Sequence, residues 1–366
     1  MKLFSIRYFA IVSCSLLLSC TKTVIVSKTL SEAIDNIVTP YTVLGADVGV
    51  IVGTVKDGKA TIYSYGEKKP GSHEKITAQS VLEIASLTKT YTALALAAMC
   101  KNGELNLDDP IENYLPGTVK VPSFNGKKIT LRHLANHTSG LPRLPDNIDK
   151  EAYNPYKGYT KEKMYEFLNG YSLTREPGSE WEYSNVGFGL LGEILSLKNS
   201  SNYETMITDR VLQPLGMTHT TVSFTAGQLL NLVQGYNGNK QVESWSQYQQ
   251  NIFQGTGSLT SSMEDQLIFL QANMGLIHSS LDSAILLSHQ SSTNNPDDIG
   301  LAWNKKTMDN LHIIHKNGGN GGYGSFMGFD KMQKIGVVVM VNSSLNPELF
   351  PTDMGFEILK ALNKFQ

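Results

Sequence analysis

The sequence predicts a mixed α/β protein of the α+β type, with one antiparallel sheet built from both chain ends, flanking helices and an inserted, mainly helical region. Two pairs of strand-like segments carry this prediction. One pair lies near the start, at residues 48–65, and the other near the end, at residues 324–341. Between them, about residues 85–290 are mostly helix and loop with many glycines and prolines. Strands at both ends around a helical middle favour a single sheet that the two chain ends complete.

The first elements follow from hydrophobic spacing and turn residues. A helix is predicted over about residues 28–39, where aliphatic side chains recur at helical spacing. Residues 48–55 then read as a strand, and residues 60–65 as its hairpin partner across the Asp57-Gly58 turn.

The last elements complete the predicted sheet. Residues 324–329 and 335–341 are two further strands, and a final helix is expected over about residues 350–362. The chain is then predicted to have three parts. A leader covers residues 1–20, a sheet part covers about residues 28–85 together with 300–366, and a helical part covers about residues 86–299.

Length and composition allow one large domain with a sizeable core. The chain has 366 residues, 41% of them apolar, and a formal net charge of −2. Lysine and arginine are scattered rather than clustered, so nothing indicates a nucleic-acid partner. A long polar loop at residues 141–160 is a candidate functional element, since loops of that length often carry function.

The first twenty residues are typical of an export signal. Lys2 and Arg7 form a short basic region, and residues 8–18 are an apolar run too short to be a good membrane span. The run ends in LLSC at residues 17–20, which resembles the cleavage site of a bacterial lipoprotein signal. On this interpretation Cys20 is the lipidated first residue of a domain that covers residues 21–366.

Two alternatives to this leader remain open. Residues 11–14 fit the same motif after a shorter apolar run, and an ordinary secretory signal could be cut near Ser19. All of these interpretations send the protein out of the cytoplasm, and the lipoprotein one anchors it to a membrane of the cell envelope, facing the periplasm. Cys100 is then the remaining ordinary thiol, so no internal disulfide is expected.

A lysine in an apolar helix is the first sign of chemistry. Residues 83–99, EIASLTKTYTALALAAM, predict a buried helix, yet Lys89 lies near its start, three positions after Ser86. Residues three apart share a helix face, an apolar environment lowers the pKa of a lysine, and a neutral lysine can take a serine proton. The helix N-terminus adds N–H groups that favour negative charge. The alternative is a chance Ser-x-x-Lys whose lysine reaches out to water.

Two further motifs accompany the Ser86–Lys89 pair. YSN at residues 183–185 stands ahead of an apolar helix, and KNG at residues 316–318 stands directly before a strand. With the three motifs in this order, the chain resembles the serine β-lactamase and penicillin-binding protein superfamily, in its class C β-lactamase-like branch. The resemblance covers nearly all of the mature chain, since three other segments also fit: residues 129–142, 214–217 and 257–275.

The resemblance implies a role for each matching residue. Ser86 matches the acylated serine, Lys89 its partner base, and Tyr183 the tyrosine that shares proton transfer with that lysine. Asn185 matches a ligand of the substrate amide that also orients the lysine. Lys316 matches the residue that attracts the substrate carboxylate.

The rest of the third motif is implied to bind substrate. Gly319 matches the strand position whose backbone N–H completes an oxyanion hole with that of Ser86. Gly318 opens a glycine run that permits close backbone approach. Asn317 stands where threonine is usual, and its amide can still donate to a carboxylate. Asn346 matches an asparagine that contacts the carboxylate in class C enzymes.

The recognition side departs from the class C pattern in two more places. Leu349 stands where those enzymes carry an arginine near the asparagine that Asn346 matches. Arg143 or Leu144 stands where class C enzymes usually carry a glutamine. We therefore expect substrate preference to differ more than catalytic chemistry.

The resemblance implies a serine hydrolase with an acyl-serine intermediate, and first of all a class C-like β-lactamase that hydrolyses the β-lactam amide. The alternatives are a D,D-carboxypeptidase, D-aminopeptidase or esterase of the same branch, or a penicillin-binding protein that barely deacylates. Tyr183 favours turnover, because it can help to activate the deacylating water. The substrate is expected to be a small molecule or of peptidoglycan type, with no cofactor and no metal, and the protein is expected to be a monomer.

Other chemistries find less support in the sequence. It contains no Gly-x-Ser-x-Gly, so an α/β-hydrolase elbow is not indicated. His133 and His137 lie four apart and could share a metal on a helix. With no His-Glu-x-x-His and no obvious third ligand, structural histidines are the better interpretation. His315 is expected to point away from the site, since neighbours alternate along a strand.

Overall fold

The structure is a computed structural model, and it describes residues 27–44, 48–245, 251–292, 299–345 and 349–365. The predicted leader with Cys20 and the proposed substrate ligand Asn346 lie outside these residues. In the described part of the chain, no helix is both long and apolar enough to cross a membrane.

Six strands form the main sheet, in the order β2-β1-β12-β11-β10-β9 with every neighbouring pair antiparallel, and the other strands form three small pairs. The strands are β1 (Val50–Lys56), β2 (Lys59–Tyr65), β3 (Val81–Glu83), β4 (Ser123–Phe124), β5 (Lys127–Lys128), β6 (Tyr236–Asn237), β7 (Lys240–Gln241), β8 (Thr260–Ser262), β9 (Asn304–Met308), β10 (Leu311–Gly319), β11 (Gly324–Asp330) and β12 (Ile335–Val341).

The helices lie mostly between the two groups of sheet strands. They are α1 (Leu30–Leu44), α2 (Thr88–Lys101), α3 (Leu131–Ala135), α4 (Lys161–Gly170), α5 (Asn185–Lys198), α6 (Tyr203–Ile207), α7 (Gln213–Leu215), α8 (Ala226–Asn231), α9 (Gln254–Gly257), α10 (Met263–Met274), α11 (Asp282–His289) and α12 (Leu349–Lys364). Two 3₁₀ turns (Ala85–Leu87 and Ile111–Tyr114) and a π-helical turn (Thr208–Leu212) connect some of them.

The sheet is covered by helices on both faces. β12 is buried along its whole length, which its unbroken apolar sequence IGVVVMV reflects. α1 and α12 pack on one face, and α10 packs on the other. Gly53 permits the close approach of α10, because a Cβ there would lie 2.5 Å from the sulfur of Met263. The larger apolar core lies in the helical region around α2, whose residues from Thr88 to Met99 are all buried.

The predicted fold class is confirmed, because strands from both chain ends build one antiparallel sheet. Three elements differ from the expectation. β10 was not among the strands predicted from the apolar pattern, because its second half, HKNGG, is polar and rich in glycine, and the KNG motif lies at the end of this strand instead of directly before one. β9, with the sequence NKKTM, was not predicted, because a partly exposed edge strand shows no apolar alternation. α1 continues through Pro40 to Leu44 instead of ending near residue 39, and Tyr41 in this last turn packs edge-on against Phe350 of α12, with ring centroids 5.4 Å apart.

Candidate active site

Ser86 lies in the 3₁₀ turn Ala85–Leu87, which joins β3 to the start of α2. Ala85, just before it, has φ +46°, a left-handed conformation that is uncommon for residues with a side chain. Such strain costs on the order of 1–3 kcal/mol and persists only where surrounding contacts hold it. The serine is therefore presented on a strained turn, and not from the body of a helix.

Lys89 is fully buried in the first turn of α2. Its Nζ donates to Ser86 Oγ at 3.1 Å and to the backbone oxygen of Thr256, in α9, at 2.8 Å. Complete burial excludes the alternative in which this lysine reaches bulk water. The amine nitrogen is instead held against the serine oxygen by a carbonyl from another helix.

Tyr183 completes a three-residue cluster at the serine. Its hydroxyl donates to Ser86 Oγ at 2.7 Å. Three cationic groups surround the ring: Lys89 Nζ lies 4.9 Å, Arg143 Cζ 5.0 Å and Lys316 Nζ 5.0 Å from its centroid. Positive charge at this distance stabilises negative charge that develops on the phenol oxygen. Ser86 Oγ thus has two partners that can exchange a proton with it.

The His137 ring packs against the Tyr183 ring. Its ring centroid lies 4.5 Å from that of Tyr183, and its Nδ1 accepts a hydrogen bond from the Ser184 backbone N–H at 3.1 Å. Burial, with positive charge from Lys316 and Lys89, holds the pKa of His137 well below its usual value, so the imidazole stays neutral. The histidine therefore positions the backbone of the second motif.

The structure supports structural roles for the other two histidines considered. His133 Nδ1 accepts from the Thr130 backbone N–H at 3.1 Å and so caps α3. Across the described ranges, no group of three or more histidine, cysteine and acidic side chains could hold a metal ion. The His315 ring packs against Phe326 and Phe356, with centroids 5.8 and 5.1 Å away, and so points toward α12 as expected.

The third motif lies where β10 runs past the end of β9. β9 pairs with β10 only as far as His315, whereas β11 pairs with it as far as Gly319. From Lys316 onward, the outer edge of β10 faces the serine turn instead of another strand. A Cβ on Gly318 would lie 2.6 Å from the Ile84 oxygen and 2.7 Å from the Ser86 nitrogen, so only glycine fits there. This contact brings the two predicted oxyanion donors, the backbones of Ser86 and Gly319, to the same cleft.

Two adjoining pockets open in front of the serine, and Arg143 lines both. The aromatic pocket is lined by Ser86, Asn185, Gly319 and three rings: Tyr156, Trp245 and Phe253. The cationic pocket is lined by Tyr183, Lys316, Asn317 and Trp181, and its end near β9 is bordered by Asn304 and by His315, whose ring packs toward Phe326 and Phe356. Every predicted site residue that the structure describes, apart from the buried Lys89 and Gly318, therefore lines one of the two pockets.

The sequence did not reveal several residues of this site. Tyr156 comes from the long loop 141–160, which was expected to be functional, but only Arg143 and Leu144 were named in it beforehand. Thr256 contributes a backbone oxygen, a group that every residue carries. Glu83 is fully buried and accepts hydrogen bonds from Ser244 and Asn320, so it ties β3 to two segments that border the site. The sequence did offer one indication of this role, because the Glu83 carboxylate lies only three residues before Ser86 of the Ser-x-x-Lys motif.

A serine held by a buried lysine and a tyrosine, beside two backbone N–H groups, defines the class of hydrolases that work through an acyl-serine. The family model described as Beta-lactamase matches residues 34–360. The chain belongs to the beta-lactamase family.

Individual relatives cover most of the chain. The D-alanyl-D-alanine-carboxypeptidase/endopeptidase AmpH of Escherichia coli K12 is 30% identical over 308 residues, which are 79% of this chain and 78% of the relative. A beta-lactamase of the same organism is 24% identical, over 95% of this chain and 98% of the relative. The crystal structure of a beta-lactamase/D-alanine carboxypeptidase from Yersinia pestis has 25% identity and a TM-score of 0.78, covering 92% of this chain and 99% of that one.

Proposed function

We propose that the protein hydrolyses amides that carry a carboxylate on the leaving side, by way of an acyl-enzyme at Ser86. Peptides that end in D-Ala-D-Ala are the first candidate substrates, and β-lactams are the second. The observation that carries the proposal is the position of Ser86 Oγ, 3.1 Å from Lys89 Nζ and 2.7 Å from the Tyr183 hydroxyl.

The geometry supports a two-step reaction. Ser86 Oγ attacks the carbonyl carbon while its proton passes to Lys89 or Tyr183, and the backbone N–H groups of Ser86 and Gly319 receive the oxyanion. The C–N bond then breaks, and the leaving nitrogen takes a proton from the same pair. Water attacks the acyl-serine in the second step, with Tyr183 placed to accept its proton.

The order of the two substrate classes rests on two observations. The Escherichia coli relative at 30% identity is named as a D-Ala-D-Ala carboxypeptidase and endopeptidase, whereas the beta-lactamase of that organism is 24% identical. Asn317 also replaces the usual threonine beside Lys316, with a bulkier side chain in the cationic pocket. β-Lactam hydrolysis stays a candidate because Tyr183 touches the serine oxygen, where it can serve deacylation.

A turnover panel tests the proposal. Purified protein is given a peptide ending in D-Ala-D-Ala, a chromogenic cephalosporin and a short-chain aryl ester. We expect release of D-alanine at the highest kcat/KM of the three. Turnover of the ester alone would contradict the proposal. Stable labelling by the cephalosporin without turnover of any substrate would indicate a penicillin-binding protein that does not deacylate.

We also propose that the mature protein is anchored to an envelope membrane through a lipid on Cys20. The support is the LLSC motif at the end of the apolar run. Cys20→Ser should move the protein from the membrane fraction to the soluble envelope fraction. Wild-type protein that already fractionates as soluble would contradict the anchor.

A further inference from the structure

The long loop 141–160 places one hydroxyl inside the aromatic pocket. Tyr156 lies near the end of this loop, and its hydroxyl accepts a hydrogen bond from Asn185 Nδ2 at 2.8 Å. Asn185 is the first residue of α5 and is 5% exposed. The loop is therefore bound directly to a side chain that lines the same pocket as Ser86.

The amide of Asn185 is only half satisfied in this structure. Its Oδ1 is buried and has no hydrogen-bond partner among the residues that the structure describes. A buried polar atom without a partner costs about 1–3 kcal/mol, so its retention beside the nucleophile suits a group that completes its hydrogen bonds on a ligand. An amide offers both an acceptor and a donor, which matches the N–H and C=O of another amide.

Tyr156 is itself held firmly. Its ring centroid lies 4.8 Å from that of Phe253 and 5.8 Å from that of Trp245, and its backbone N–H donates to Asn154 Oδ1 at 3.1 Å. The backbone N–H of Asn185 in turn donates to the Arg143 oxygen at 3.1 Å, so the start of the loop is tied to the same residue. Both ends of the loop are therefore bound to Asn185. Because the Tyr156 hydroxyl accepts from Nδ2 of Asn185, it determines the orientation of the Asn185 side-chain amide.

From this geometry we propose that Tyr156 is a positioning residue, which orients the Asn185 amide to bind an amide group on the acyl side of the substrate. The inference rests on the proposed function and names a feature of its substrates: an acyl donor with an amide beside the scissile carbonyl. Such donors are acylated peptides and β-lactams with an acylamino side chain. Donors without that amide gain nothing from an oriented Asn185.

Two β-lactams and one matched variant separate this role from general loop stability. Benzylpenicillin carries the side-chain amide, and 6-aminopenicillanic acid has the same nucleus without it. Tyr159→Phe is the control for Tyr156→Phe, because Tyr159 lies on the same loop, packs on Phe253 at 5.3 Å and donates its hydroxyl to Asn147 at 2.6 Å, away from Asn185. The readout is the second-order rate of Ser86 acylation, followed by intact-protein mass.

We expect Tyr156→Phe to slow acylation by benzylpenicillin about tenfold, as the loss of one oriented hydrogen bond allows, and acylation by 6-aminopenicillanic acid by less than about twofold. Tyr159→Phe should change either rate by less than about twofold. In an Asn185→Ala background, Tyr156→Phe should have no further effect, because a residue that acts through Asn185 is not additive with it.

Three results would overturn the inference. They are equal losses on the two β-lactams, equal losses in Tyr156→Phe and Tyr159→Phe, and full additivity with Asn185→Ala. Failure of the proposed function is recognised separately from wild-type protein alone, which would then turn over neither the peptide nor the β-lactams. Wild-type protein that also forms no adduct with either β-lactam would overturn the inference as well.

Discussion

The floor and the outer wall of the cleft are built in different ways. The floor consists of the turn Ala85–Leu87, the start of α2 and residues 316–319 of β10, and it is buried: Lys89 is 0% and Lys316 2% exposed. The outer wall consists of the loop 141–160 with Trp245. There Arg143 is exposed and Tyr153 is 43% exposed.

This difference in burial indicates that the floor serves the reaction itself, whereas the outer wall serves the choice of substrate. Buried groups with fixed partners keep the short distances that proton transfer needs, whichever substrate is bound. Aromatic and amide side chains on a surface loop can meet different acyl groups, and such loops change at low cost to the fold. Changes at Ser86, at Lys89 or in the backbone of residues 318–319 should therefore affect all substrates. Changes in the loop, or at the Lys316 ammonium that faces a substrate carboxylate, should affect some substrates more than others.

Removing the proposed nucleophile is expected to have the largest effect. Ser86→Ala should lower kcat by about four orders of magnitude or more on peptide, β-lactam and ester alike, since each depends on the acyl-serine. Steady-state kinetics on the three substrates measures this. Ser196→Ala is the control, because the hydroxyl of that buried serine donates to the Gly192 oxygen in its own helix. Ester turnover that survives in Ser86→Ala would show that the floor is not shared by all substrates.

Lys316→Ala should lower kcat/KM for some substrates much more than for others. Its ammonium lies in the cationic pocket beside Tyr183. We expect a loss of roughly 30- to 1000-fold in kcat/KM on substrates with a leaving-side carboxylate, and a clearly smaller loss on the aryl ester.

A matched control exists on the neighbouring strand for this prediction. Lys306→Ala removes a charge that lies 4.1 Å from the Phe356 ring, on the other face of the sheet, and should leave both rates unchanged. If Lys316→Ala instead lowers both rates equally, this lysine tunes the proton-transfer groups and does not recognise the carboxylate.

Gly318→Ala should disturb the contact between β10 and the serine turn. The added Cβ would lie 2.6 Å from the Ile84 oxygen, so strand and turn must separate. A displacement of this size at the oxyanion position is expected to cost about 100-fold in kcat on every substrate. Gly117→Ala, with no atom within 4 Å of its Cβ, is the control. A Gly318→Ala enzyme with wild-type kcat would contradict the placement of the oxyanion donors.

The far face of β10 should affect stability and leave catalysis intact. Burial, with positive charge from Lys316 and Lys306, lowers the pKa of His315 to about 3. The unfolded chain, with a histidine pKa near 6.5, then binds more protons than the folded one below that pH. The free energy of unfolding therefore falls by up to about 1.4 kcal/mol per pH unit from about pH 6.5 downward on account of this residue.

His315→Phe should remove that part of the pH dependence, because a phenyl ring fits between Phe326 and Phe356. Urea unfolding at pH 7.5, 6 and 5 should give a shallower decline than in wild type, with kcat changed by less than about twofold at pH 7.5. An unchanged slope would show that His315 does not stay neutral in the folded protein.

The floor could be predicted in two ways: local spacing predicted the Ser86–Lys89 pair, and the resemblance to the serine β-lactamase and penicillin-binding protein superfamily implied the other residues. Ser86 and Lys89 are three residues apart, and near a helix start that separation brings side chains together without any tertiary information. Tyr183, Asn185 and Lys316 each stand in a short motif with a recognisable order. The structure brings these residues to one cleft, although Asn346, the last predicted ligand, lies outside the described residues.

The wall could not be predicted in the same way. Tyr156 reaches Asn185 only through the path of the loop 141–160, which has no periodicity that fixes the direction of a side chain. Lys89 binds a carbonyl of α9, 167 positions away, and no residue type marks such an acceptor. β9 was missed for a related reason, since its polar sequence reflects its place at the sheet edge.

The central claim is that Ser86 forms the covalent acyl-enzyme in this cleft. Its most direct test is intact-protein mass spectrometry after mixing with a slowly hydrolysed β-lactam, followed by peptide mapping. We predict a single adduct of the mass of the intact β-lactam, on the peptide that contains Ser86, and no adduct in Ser86→Ala. An adduct on another serine, or one that persists in Ser86→Ala, would contradict the account.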